Sequence, residues 1–235
     1  MHGTAKMRED HSTLEERTQR ACMERMHALA HGQGQGQGQG QAQVRMKTGP
    51  LFVCIVMPLK TPEVLPTPDA IQHAAAELKE SKPGNYALIP GGNAGTYIAY
   101  LVNPEPGQVA YTHVSYDGGL ELVTGADAFV HRNTEKDGIR SPEPYTRPLM
   151  EKGMSAMQRA LDCLCVSGRV AVGVGMLRAG GVKIWNETTS TSIESGTCPD
   201  HPIVETFVLN SHTALTPESV HPALNTLWER LLSGR

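Results

Sequence analysis

Lys82 to Tyr116 reads K-P-G-N-Y-A-L-I-P-G-G-N-A-G-T-Y-I-A-Y-L-V-N-P-E-P-G-Q-V-A-Y-T-H-V-S-Y. Three short apolar runs are separated by two glycine-marked breaks. Thr96 to Val102 is rich in β-branched and aromatic residues, as a strand requires. Val109 to Tyr116 alternates: Val109, Tyr111, His113 and Ser115 fall on one face, and Ala110, Thr112, Val114 and Tyr116 on the other. Asn103-Pro104-Glu105-Pro106-Gly107 joins the two runs as a stiff turn, because two prolines forbid a helix there. The stretch therefore predicts an antiparallel pair, with Tyr86 to Ile89 as a shorter strand before it.

Outward from this pair, the chain reads as sheet plus covering helices. Leu51 to Leu59, L-F-V-C-I-V-M-P-L, is almost continuously apolar, the pattern of an interior strand covered on both faces. Cys54 within it reads as a small core residue. Thr67 and Pro68 start a helix as cap and first-turn proline, with Ile71, Ala74, Ala75 and Leu78 on one side. Strand, helix and the return at Tyr86–Ile89 suggest a right-handed parallel crossover. Further strands are expected near 170–177 and 203–209, and further helices near 149–165 and 217–232. Val170–Leu177 and Val182–Trp185 read as a hairpin. Glu187 to Asp200 and Asn133 to Arg147 read as polar surface loops, the second long enough for a lid. The expected fold class is α+β. It is a single domain with a mixed, largely antiparallel sheet covered by about three helices, preceded by a helical arm and a flexible Gly-Gln spacer.

The front of the chain is different. Ser12-Thr13-Leu14-Glu15 resembles a capping box, and a narrow stripe of Leu14, Ala21, Cys22, Met26 and Leu29 follows at helical spacing. Gly32 to Gln41 is five Gly-Gln repeats with no core-forming residue, the composition of a flexible spacer. The expected division is residues 1–31 as a helical arm, 32–49 as a low-complexity linker and 50–235 as the globular domain. Because the recognisable strands lie downstream, removal of the arm is expected to leave that domain folded.

The chain of 235 residues carries a formal charge of −3. Residues 1–49 hold seven Lys or Arg against five Asp or Glu, so the excess of acid lies in the main domain. That distribution argues against a general nucleic-acid surface. Five cysteines, an odd count, and the lack of an apolar leader at the N-terminus point to a reducing, cytoplasmic setting. No run is long enough to cross a membrane.

Chemistry is thinly marked. Cys198 lies in a polar loop, and His201 or His212 would serve as its base in a hydrolase or transferase mechanism. Gly91, Gly92 and Asn93 would supply amides to an oxyanion or a small anionic ligand, although phosphate loops normally lead into a helix and this one leads into a strand. Cys163, Cys165, Cys198 and His201 would be the set for a zinc ion, with poor spacing between the first two. His113 and His131 are the remaining histidines near strands. Gly-x-Ser-x-Gly, His-Glu-x-x-His, a Walker loop and Cys-x-x-Cys are absent from the sequence, which leaves any cofactor unknown. The leading expectation is an interaction or assembly protein, with a protein partner or a second copy of itself. The alternative is the cysteine enzyme.

Overall fold

The computed structural model describes residues 3–31, 46, 49–60, 64–83, 86–91, 95–101, 107–125, 138, 139, 141–187 and 192–233. Seven strands form one sheet. They are β1 (Leu51–Pro58), β2 (Ile89–Pro90), β3 (Thr96–Leu101), β4 (Gly107–Val114), β5 (Leu120–Gly125), β6 (Val170–Leu177) and β9 (Ile203–Leu209). Their spatial order is β2-β3-β4-β5-β1-β6-β9, and each neighbouring pair is antiparallel. β1 lies between β5 and β6 and is buried along its first six residues, as its unbroken apolar sequence requires. Two further strands, β7 (Lys183–Glu187) and β8 (Ser192–Thr197), make a separate antiparallel ribbon.

One face of the sheet carries the main core. Phe52, Cys54, Val56, Leu120, Leu122, Val172 and Val174 meet α2 (Pro68–Lys79), α4 (Met154–Cys163) and α5 (Pro217–Ser233). α2 opens as its sequence dictates: Thr67 caps it by accepting from the Ala70 N–H, and Pro68 occupies the first turn. The short helix α3 (Glu143–Pro148) runs through a π-helical turn, Leu149–Gly153, into α4. Tyr145 of α3 enters the core and meets Phe52 and Trp228, with ring centroids 6.0 and 5.5 Å away. α4 stops in a Schellman turn. The Val166 N–H reaches Leu161 O, the Cys165 N–H reaches Asp162 O, and Cys165 takes the left-handed position with φ 54.

The other face receives the arm. Helix α1 (Gly3–Ala30) buries Cys22, Met26 and Leu29 against Leu51, Val53, Ile55, Tyr111, Val123 and Leu177. It sits over two glycines. A Cβ on Gly173 would lie 2.6 Å from Cys22 Sγ and 2.7 Å from Met26 Cε, and one on Gly175 would lie 3.1 Å from Met26 Sδ. These glycines let the helix approach the sheet, so the arm completes a three-layer arrangement of helix, sheet and helices.

Several local expectations are corrected. No parallel crossover joins β1 to Tyr86–Ile89. The chain passes from α2 to the far edge of the sheet, where only Ile89 and Pro90 pair, with β3. Val182–Trp185 does not pair back on β6; β7 pairs with β8. The presumed loop after Glu187 thus contains a strand, because a hairpin held by its own backbone ladder needs no apolar alternation. The polar segment before α4 is helical from Glu143. Gly32–Gln41 lies outside the described residues. No helix among those described is long and apolar enough to cross a membrane.

Candidate functional site

The strongest surface feature is the outer edge of β9. This strand is seven residues long, I-V-E-T-F-V-L, and pairs with β6 from Ile203↔Met176 to Leu209↔Val170 without a register shift. Among the described residues nothing pairs with its other side. An open strand edge presents unpaired N–H and C=O groups that template a further strand, and edges are normally blunted by proline, lysine, bulges or brevity. β9 has none of these. Its residues alternate between the two covered faces. Ile203, Phe207 and Leu209 pack into the main core, while Val204 packs with the α1 layer. Its one charge, Glu205, is paired with Arg230 of α5, whose Nη1 also donates to Val204 O at 3.3 Å.

The most concentrated polar chemistry lies elsewhere, beneath α1. Glu121 of β5 accepts from Arg25 Nε at 2.5 Å, from Arg25 Nη2 at 3.1 Å and from the Tyr111 hydroxyl at 2.9 Å. Neighbouring His113 meets Thr96 Oγ1 through Nδ1 at 2.8 Å. Glu121, Tyr111, His113 and Thr96 are all buried. Burial, reinforced by Glu121, holds the Tyr111 hydroxyl well above its usual range, so it stays protonated and donates. Burial pushes the His113 imidazole down, aided by Arg25 and opposed by Glu121. Burial works against the Arg25 charge, but its hydrogen bond to Glu121 prevails and raises its pKa. The cluster fixes α1 to the sheet by a forked, charge-assisted pair. Its groups are closed off by the helix that supplies one of them.

The sequence-predicted site residues do not gather. Gly91 lies in the β2–β3 connection, where its N–H donates to Thr96 O at 2.8 Å and closes that turn. Gly92 and Asn93 lie outside the described residues. Cys198 sits beside the chain leaving β6: its N–H donates to Val182 O, and its carbonyl accepts from Gly181. Its side chain is 3% exposed within the main core, and burial pushes the thiol up to about 11, the opposite of activation. His201 is exposed three residues on. His212 is at the other end of β6, with its N–H on Gly168 O and its Nε2 on Asp162 Oδ1 at 2.9 Å. At about 3.4 Å per residue, the length of β6 puts the Cys198 and His212 ends roughly 24 Å apart. Gly91, five strand spacings from β6, is separated by a similar distance across the sheet.

The zinc set is divided in the same way. Cys163 and Cys165 end α4 near the start of β6, whereas Cys198 and His201 lie at its finish. Among the described residues no three potential metal ligands converge. His113 has the partners given above, and His131 lies outside the described residues. Sequence reasoning missed Glu121 and Arg25. The available signal was a single carboxylate inside a short apolar run, L-E-L-V, with an arginine flanking the arm's apolar stripe. It also missed the β9 edge, whose signal was a seven-residue run without proline, glycine or lysine.

No protein-family model matches this chain, and no curated protein or solved structure matches it either.

Proposed function

We propose that this protein is an interaction or assembly protein that takes an extended partner strand against β9. The observation that carries this reading is the long edge of β9, unpaired among the described residues and free of proline, lysine and bulges, with both of its faces packed and its one charge paired to Arg230, which also donates to Val204 O. Strand addition at such an edge draws affinity from main-chain hydrogen bonds and specificity from alternate side chains. Cysteine chemistry has weaker support, since the Cys198 thiol is buried and held in its protonated form.

Selection of twelve-residue phage-displayed random peptides on the intact chain tests this reading. Alternating apolar sequences should be enriched, and the synthetic peptides should slow hydrogen exchange at the amides of 203–209. Enriched peptides that protect another region would overturn it, as would a selection that yields none on a chain that sediments as a monomer.

A further inference from the structure

From the edge just described, and resting on the interaction reading, we infer that the strand added to β9 is β9 of a second copy. The paired strands run antiparallel about a two-fold axis at Thr206. The argument begins with the order of residues. Read from Thr206 in both directions, I-V-E-T-F-V-L is symmetric in kind at its ends: Val204 answers Val208, and Ile203 answers Leu209. A two-fold axis through an antiparallel pair sets residue i opposite its mirror position, so each aliphatic side chain meets another aliphatic side chain. Thr206 meets its own copy, a favourable cross-strand pair. Glu205 falls opposite Phe207, not opposite another carboxylate, and each Glu205 is already neutralised by Arg230 of its own chain. No like charges meet at the centre of the seam.

The register also respects the layers. Positions related by the axis differ by an even number of residues, so each side chain faces one of the same parity. In β9, one parity packs toward α5 and the other toward α1. The axis preserves these sides, so helix layers meet helix layers and the two sheets become one sheet of fourteen strands. An arbitrary extended peptide would use the same backbone groups, but it would lack this matching along the full seven residues. The opposite edge offers no equivalent: β2 has two residues, one of them Pro90.

The test uses the intact chain with Cys163→Ser and Cys165→Ser, which removes the two thiols that are not buried. Antiparallel pairs alternate between Cα separations of about 4.5 and 5.5 Å, and disulfides favour the closer class. Thr206→Cys samples one class, and the double variant Glu205→Cys/Phe207→Cys samples the other. Mild oxidation should convert one of these two into a covalent dimer. Glu205→Cys alone and Phe207→Cys alone should stay uncrosslinked, because each faces the other position in the second copy. Sedimentation of the unmodified chain should give twice the monomer mass at micromolar concentration. A monomer mass throughout overturns the inference, as does equal crosslinking by the single variants. So does failure of both designed variants to crosslink while their circular dichroism and thermal unfolding match the parent. If the chain is monomeric while selected peptides still protect 203–209, self-pairing fails and the interaction reading stands. If the peptides also fail, both fall.

Discussion

At one end of the sheet the last strand is two residues long, ends in Pro90, and pairs with β3, whose own pairing to β4 shifts register between Ala99 and Tyr100. At the other end β9 runs seven residues in unbroken register on β6. The first end has three of the devices that stop a sheet from growing, and the second has only Glu205 and the Arg230 side chain that pairs with it and donates to Val204 O. The layer above the sheet differs in the same direction. Over β6 the arm meets bare glycine backbone at Gly173 and Gly175, with a thiol and a thioether filling the space. Over β4 and β5 its Arg25 meets the Glu121 carboxylate, which also accepts from the Tyr111 phenol. Thus the guarded half of the sheet is held to the arm by a buried charged fork and hydrogen bonds, and the open half by close packing, with a half-exposed Arg169–Glu15 pair at its margin.

The largest effect should come from the polar half. Arg25→Met leaves Glu121 buried without its forked partner, and loss of one member of a buried ion pair costs about 3 kcal/mol or more. Chemical denaturation should show that loss. Cys22, buried and with its thiol pushed up to about 12, should become open to alkylation before global unfolding. A stability within about 0.5 kcal/mol of the parent would mean that the fork does not fasten the arm.

A smaller loss is expected in the open half. Gly173→Val drives a methyl-bearing carbon into Cys22 and Met26, and overpacking of this kind costs about 1 to 3 kcal/mol. The altered variant should also free Cys22, while the β2–β5 amides keep their exchange protection. If Gly173→Val proved costlier than Arg25→Met, the contrast between a charge-held half and a packed half would be reversed. Either result bears on the arm itself. Removal of residues 1–31 would expose Leu51, Val53, Ile55 and Leu177 together with the Glu121 carboxylate, and the denaturant midpoint of the truncated chain against the full chain measures how far the domain stands without its arm.

The smallest effect is a pH dependence. His113 has its pKa lowered in the folded protein, so below the ordinary value of 6.5 the unfolded chain takes up a proton that the folded chain resists. Stability from this group is therefore complete above that value and falls as pH drops through it. His113→Gln should flatten this part of the stability curve between pH 7 and 5, measured by denaturant midpoint. An unchanged slope would show that Thr96 and Glu121 already accommodate the charged ring.

The sequence alone determined the elements that carry a strong local period or a local cap. Leu51–Pro58, Val170–Leu177 and Ile203–Leu209 occur within one residue of the limits read from their apolar runs, and Thr67-Pro68 starts its helix, because burial pattern and capping act within a few residues. The sequence also placed an apolar stripe on the arm. It did not determine where that stripe goes, since Gly173 and Gly175 are some 150 residues away and receive it only once the sheet exists. Nor did it bring Arg25 to Glu121, separate Cys198 from His212 along β6, or leave β9 at an edge. Those outcomes depend on strand order, and strand order is fixed by which non-local pairings bury both faces of β1 at once, a choice that no short window of sequence contains.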